Sequence, residues 1–508
     1  MLVELILLVV ILLLIHQRWT KRDIYKLGEQ LNSGIRTFPL IGHIHIFIGD
    51  NVRLMKAFQV VGLDALKKEN GLSSLWFGNY LYTIVADPEA ADTILKNISE
   101  KDDIVRLASD FIGNGSIFAP VPIWRPRRKV LIPMFSMKNL KYFSTIFASE
   151  SQILVEELGK TVGNGAIPVF KYISAYTMDS IAQTSMAYKM HAQRNSDHFF
   201  LKGFDMGLNS VVERICQPWL HSDTIYKNLP RYSTLMKHKK LLWDFMLELI
   251  RNKRKELEET NMTQHQHENS SDTVHKTFLE SLIKLSGGDD GYTDDEIVEE
   301  LLVIMVADTD TSAVAASFVT LLLSRYPEIQ EKVFEELQEV FGDSDRLTTF
   351  EDLPRLKYLE AVIRETQRLY TTSPIVTRKV DKELLLPCGI KLVPGTGIMI
   401  NIWALHRNPR YWGDDADQFR PERFLNLDLK HPAAFMPFSY GPRNCVGYQY
   451  AMISMKTMLS TLLRRYKILP ATKPNSNAEF PPLRLKFDLM MKDADGFQIC
   501  IEPRSKRA

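Results

Sequence analysis

The segment FSYGPRNCVG, Phe438 to Gly447, places Cys445 two residues after Arg443, between Gly441 and Gly447, with Phe438 seven positions upstream. A cysteine thiolate that ligates haem iron must be shielded from water and oxidant, with backbone N–H groups aimed at its sulfur. Glycines let the backbone approach closely and turn tightly. An aromatic ring can pack beside the ligand, and a neighbouring arginine can hold a carboxylate of the prosthetic group. Phe438, Gly441, Arg443, Cys445 and Gly447 meet these needs together. The alternative, a lone cysteine acting as a small buried hydrophobe, does not account for the ten-residue context.

Two further groups of residues could do chemistry. Asp308-Thr309-Asp310-Thr311-Ser312 is a run of five poor helix formers between the apolar stretches LLVIMV and AVAASFVTLLL. Polar side chains buried at the centre of a helix are costly unless bonded, and they can bond back to the carbonyl ladder. The run reads as a place that handles protons and water in a dry cavity; a patch that meets solvent is the competing reading. Glu365 and Arg368 lie three apart on one face of the amphipathic stretch YLEAVIRETQRLY. With Arg423 of FRPERF they could form a buried bidentate network, although an i,i+3 pair alone is more often a solvated surface pair.

The elements that must position these groups are mostly helical. Thr293 opens a capping box with Glu296, and the helix that follows can run to about Arg325, before Tyr326-Pro327. That is roughly 48 Å, long enough to cross a whole domain. Its two central Asp residues and its flanking acids argue against a membrane span. From about 139 to 376 apolar residues recur at three and four positions. WFGNYLYTIVA reads as a hairpin turning at Gly78-Asn79, and Asp87-Pro88 as a helix start. Past 380, LLLPCGIKLVPGTGIMINIW is strand-like and broken by Gly and Pro. TNMTQHQHENSSD, residues 260–272, is polar and aperiodic and reads as a mobile loop. Its His265-x-His267 pair lacks a third metal ligand nearby.

The chain is long, with 508 residues, and 45% of them are hydrophobic, so a large core is available. Sixty-three basic and 61 acidic side chains nearly cancel, which argues against bulk nucleic-acid binding. Four scattered cysteines (Cys216, Cys388, Cys445, Cys500) fit neither a disulfide framework nor a zinc site, and predict a reducing compartment. Residues 2–15 are apolar apart from Glu4, and Arg18, Lys21 and Arg22 follow. With no basic flank before the run and no small-residue cleavage site after it, an uncleaved signal-anchor is expected over residues 1–19, with the body of the chain cytosolic. A linker is expected over 20–38 and one catalytic domain over 39–508.

These motifs together resemble the cytochrome P-450 superfamily. Phe438 to Gly447 is similar to its F-x-x-G-x-R-x-C-x-G signature. WRPRR (Trp124, Arg128), the polar-centred long helix, Glu365/Arg368 and the PERF arginine Arg423 follow the family's order over nearly the whole chain. PWLHSDTIYK, YLEAVIRETQRLY and FMPFSYGPRNCVG look most like the animal fatty-acid ω-hydroxylase branch in its insect form. The resemblance implies a mostly α fold with small β-sheets, preceded by a transmembrane anchor in the endoplasmic-reticulum membrane. It implies haem b with Cys445 as axial thiolate, and monooxygenation of an apolar small molecule with electrons from NADPH–cytochrome P-450 reductase, with cytochrome b5 as an optional second donor. Arg443, Trp124, Arg128 and Arg378 would hold the propionates. Glu365, Arg368 and Arg423 would be structural, and Asp310 and Thr311 would relay protons. Arg125, Arg127 and Lys129 would line the reductase-docking face.

Four departures from the family pattern stand out. Asp308 replaces a glycine of the long-helix motif. Ala307 stands where many relatives carry a glutamate that esterifies the haem, so a haem without that ester is expected. The hinge after the anchor is reduced to Pro39 and Gly42. Tyr440 and Tyr448 stand where relatives often have Ala and Gln. Two other functions stay open: a haem-thiolate isomerase or dehydratase acting on peroxides, which typically lacks the threonine kept here as Thr311, and a ligand binder without turnover.

Overall fold

The computed structural model describes residues 4–5, 16, 18–195, 198–264, 277–285, 291–426, 428–471 and 480–504. The chain is mostly helical with small sheets, and it divides into two compact units. The first is Met1–Asp102, Ser373–Gln418 and Asp428–Asn444; the second is Asp103–Thr372, Phe419–Leu427 and Cys445–Ala508.

The first unit is built on a four-stranded sheet in the order Leu72–Phe77, Tyr80–Val85, Gly397–Asn401, Ile375–Lys379. The hairpin turns at Gly78, whose φ of 61° favours glycine. Tyr80–Val85 and Gly397–Asn401 pair in parallel and are almost wholly buried, which suits their mainly apolar composition. A Cβ on Gly397 would lie 2.4 Å from the Tyr82 ring. Leu81, Val85, Ile94, Ile398, Ile400 and Met436 belong to its core. Asp87 caps the Pro88–Asn97 helix by accepting from the Ala90 amide, as its sequence predicts.

The segment expected as a linker, 20–38, contains a helix. Arg22–Leu31 is a helix that buries Leu27, Gly28 and Leu31, and Tyr25 stacks on Trp76 at 5.3 Å. The apolar spacing of Ile24, Leu27 and Leu31 supplies that face. The expected anchor, 1–19, lies almost wholly outside the described residues.

The second unit is organised by the helix Asp294–Arg325. Thr293 and Glu296 make both bonds of the capping box, and Pro327 begins the next helix. By length and composition this helix could cross a membrane, but most of it is buried inside the protein. It packs on Val169–Met186, where the Thr177 hydroxyl donates to the Thr309 carbonyl at 2.9 Å. Phe143, Phe147, Phe200, Phe204, Val298 and Leu301 are in this core. Pro230–Gln264 is one helix, so the first five residues of the segment read as a loop, 260–264, are helical; 265–272, with the His265-x-His267 pair, lie outside the described residues.

Candidate active site

Cys445 immediately precedes the helix Tyr448–Arg465. Its thiol takes a hydrogen bond from the Gly447 backbone, and the Arg128 guanidinium acts on it through space. Both favour the thiolate, but dehydration by the surrounding protein outweighs them and pushes the thiol up. The residue is nevertheless accessible at its surface. A residue that is exposed while its thiol is dehydrated does not sit in close-packed core. The two glycines of the signature differ in what they do. Gly441 has φ of 74°, and a Cβ there would lie 2.4 Å from the Leu95 carbonyl, so no other residue fits. At Gly447 a Cβ would meet only ordinary contacts, 3.7 Å from Phe135 and 3.9 Å from the Cys445 sulfur. What Gly447 contributes is its amide.

In the first unit Arg378, Arg443 and Lys101 form a cationic group. Arg378 is buried in the strand Ile375–Lys379; its Nη1 donates to the Thr377 carbonyl at 2.8 Å, and its buried Nε has no hydrogen-bond partner among the described residues. Burial, then Arg443, pull its guanidinium down to about 10. Arg443 is buried and donates to the Ser99 carbonyl at 2.8 Å. Burial, then Arg443 and Arg378, hold the Lys101 ammonium well below its ordinary range. Cations that raise one another's energy in a dry place fit a dianionic ligand such as the two propionates of haem b. Lys101 is absent from the sequence expectation. It sits in the unremarkable stretch SEKDD, and what places it is the bond from the Lys379 amide to the Glu100 carbonyl, 3.0 Å, which no local pattern encodes.

Trp124 and Arg128 share the helix Val121–Leu131, the guanidinium lying 5.9 Å from the indole. Arg128 is the cation the structure associates with Cys445. Arg127, expected on a docking face, is instead buried. It donates to Glu296 at 2.9 Å, and to Glu299 and Glu300 at 3.1 Å each. The same two glutamates, 299 and 300, accept from the amides of Asn114 and Ser116, so this network ties the segment 113–116 to the central helix. The expectation failed because one guanidinium satisfies three carboxylates that a helix presents at i, i+3 and i+4. Arg125 and Lys129 remain exposed.

On the central helix the Thr311 hydroxyl donates to the Ala307 carbonyl at 2.6 Å, the back-bonding its sequence predicts. The helix remains continuous through the polar run. Asp310 is buried and paired with Lys492 of the strand Met490–Asp493 at 2.7 Å. Burial still holds its carboxyl above the usual range, with Lys492 opposing. Asp308 accepts the Ser312 hydroxyl on Oδ1 at 2.7 Å, while its buried Oδ2 has no partner among the described residues. Burial pushes this carboxyl up to about 7.

Glu365 and Arg368 are completely buried and joined by two bonds, Nε to Oε2 at 2.7 Å and Nη2 to Oε1 at 2.8 Å. Arg423 Nε, at 3.2 Å, and the Arg420 amide, at 2.9 Å, also reach Oε1. The structure thus joins Glu365, Arg368 and Arg423 as one network. The half-buried Phe438 belongs with Gly441 and Arg443 to the first unit.

Residues 36–497 match the family model described as Cytochrome P450, and the chain belongs to that family. It is 32% identical to "Cytochrome P450 4c3" of Drosophila melanogaster, over 93% of this chain and 89% of the relative. It is 31% identical to "Cytochrome P450 4V2" of Homo sapiens over 92% and 89%. It is 30% identical to "Cytochrome P450 4c21" of Blattella germanica over 87% and 88%. The protein is therefore a cytochrome P450 monooxygenase whose cofactor is haem b with a cysteine thiolate ligand.

Proposed function

We propose that Cys445 is the axial ligand and that the enzyme oxidises an apolar small molecule of lipid type, using NADPH electrons passed on by a reductase at the endoplasmic-reticulum membrane. The observation that carries the ligand assignment is the Cys445 sulfur, dehydrated yet accessible, with the Gly447 amide and the Arg128 charge directed to it. When bound, the haem supplies the activation of dioxygen, one atom of which enters the substrate and the other leaves as water. The chain's own residues do the rest. Gly447 and Arg128 favour the anionic form of the sulfur against the dehydration around it. Arg378, Arg443 and Lys101 take the propionates. Thr311 keeps its hydroxyl on the Ala307 carbonyl until a better acceptor arrives. Asp310 holds or releases a proton at a carboxylate oxygen while Lys492 competes for that oxygen. Ala307 has no carboxyl, so the haem is not esterified there. The apolar N-terminal run supports a single-pass anchor, and exposed Arg125 and Lys129 suit an acidic electron donor.

Cys445→Ser abolishes the strongly red-shifted carbon-monoxide band of the reduced protein, while Cys216→Ser, Cys388→Ser and Cys500→Ser keep it; a retained band in Cys445→Ser refutes the ligand assignment. Substrate-induced shifts of the haem band identify the substrate class. NADPH consumption that depends on reductase separates monooxygenation from peroxide isomerisation and from mere ligand binding. Removal of residues 1–22 releases much of the protein from membranes with haem retained; a mature chain beginning near residue 20 and recovered from the lumen would indicate a cleaved signal instead.

A further inference from the structure

The central helix carries buried acids with very different company. Asp310 has Lys492, and Glu300 has Arg127. Asp308 has neither. One of its oxygens accepts the Ser312 hydroxyl, and the other has no partner among the described residues. Its position on the helix is fixed from next door, where the Thr309 carbonyl is bonded to Thr177 of the neighbouring helix Val169–Met186. The groups that feel its charge come from three elements. Tyr176 of Val169–Met186 is one, its hydroxyl bonded to Ser454. Tyr450 of Tyr448–Arg465 is another, its hydroxyl bonded to Thr184. The third is Cys445. All three are acids, and a negative Asp308 raises each of them. Arg128 is the cation that acts on Cys445, and among the described residues no cation acts on Asp308.

We propose that Asp308 is an electrostatic tuning residue for the thiolate-bound iron: it acts through space on Cys445, and its ionisation makes the ferric haem harder to reduce. The idea rests on Cys445 being the ligand. A carboxylate near the thiolate adds negative charge to a dehydrated site, where Coulomb interactions are strong. Ferric iron, with one more positive charge, is then favoured over ferrous. Reduction becomes coupled to a proton: one electron from the reductant enters the haem and one proton joins the Asp308 carboxylate. The large dehydration of this carboxyl, with Ser312 as its single opposing influence, puts the coupling near neutral pH. A glycine at this position could not do this, so the device belongs to this chain's own residue.

The test is a spectroelectrochemical titration of the full-length holoenzyme with dithionite and mediators, from about pH 5.5 to about pH 8.5. In the parent protein the midpoint potential falls as the pH rises through neutrality. Asp308→Asn removes that fall, matching the parent at the acid end and lying above it at the alkaline end. A tenfold difference in the reduction equilibrium reads as about 59 mV for one electron. Ser312→Ala takes away the hydroxyl that favours the carboxylate, so the inflection moves to higher pH, which a merely structural role would not produce. Parent and Asp308→Asn potentials that coincide at every pH overturn the proposal. Should Asp308→Asn fail to retain haem, Ser312→Ala decides: an unmoved inflection refutes the coupling. Failure of the ligand assignment reads differently, as a red-shifted carbon-monoxide band that survives Cys445→Ser.

Discussion

Glu365 and Asp308 are both buried carboxylic acids on helices of the second unit, yet they are provided for in opposite ways. Glu365 receives two bonds from Arg368, one from Arg423 and one from the Arg420 amide. Asp308 receives one hydroxyl. A fully partnered carboxylate pins segments together; the nearly unpartnered Asp308 is held as an acid that can titrate. The difference is one of partnership: four bonds hold Glu365 and one holds Asp308.

Breaking the first side of that comparison has the largest effect. Glu365→Ala leaves Arg368 buried without its carboxylate, which costs on the order of 3–5 kcal/mol. The expected result is loss of haem and of soluble holoenzyme, read from the absorbance of the haem band per mole of protein. A variant that keeps full haem content would remove Glu365 from the structural role.

The second prediction concerns pH. The folded-state value for Asp308 is raised above that of an unfolded aspartate, so the folded state binds the extra proton. Its contribution to stability is therefore greatest below about pH 4 and falls as the pH rises toward about 7, by up to about 4 kcal/mol. Asp308→Asn should melt close to the parent at about pH 4 and well above it at about pH 8. A melting difference that does not widen between those limits would mean the carboxyl is not held neutral.

A smaller effect is expected in turnover. Asp308→Gly keeps folding and haem content and raises the fraction of NADPH electrons that end in product by a factor of about two, less than 1 kcal/mol at the branch point. Thr311→Ala lowers that fraction. Both are measured as product formed per NADPH with one confirmed substrate. Lower coupling or lost binding in Asp308→Gly would instead make Asp308 a partner for a polar group of the substrate. The smallest signal is a yes-or-no extraction. Acidified organic solvent removes all the haem, because Ala307 offers no carboxyl, and haem left on the chain would reveal an attachment elsewhere.

What could be read from the sequence was what is local. The capping box at Thr293 and Glu296, the Asp87 cap, the turn at Gly78-Asn79 and the back-bond of Thr311 are encoded within a few residues, and all are present. The signature around Cys445 was legible for the same reason. Partners from distant segments were not. Lys492 opposite Asp310, Lys101 beside Arg378 and Arg443, and the glutamates that bury Arg127 depend on pairings about 170 residues apart or more, and a surface arginine and a buried one look alike in sequence. Arg22–Leu31 was missed because three buried positions in a short polar stretch make a weak periodic signal.

The parallel pairing of Tyr82–Val85 with Gly397–Ile400 sets a clock on biosynthesis. More than 300 residues separate the two strands, so the first must wait while the intervening chain is made, on the order of 15 to 60 s at ordinary elongation rates. During that time Tyr80–Val85 has its hairpin partner on one edge and a row of unpaired amides and carbonyls on the other. The second unit's long segment, Asp103–Thr372, is complete before the last strands of the first unit emerge. The emerging chain therefore holds an apolar strand open for the longest stretch of its synthesis, and premature termination anywhere between the two strands leaves a fragment with a sticky sheet edge.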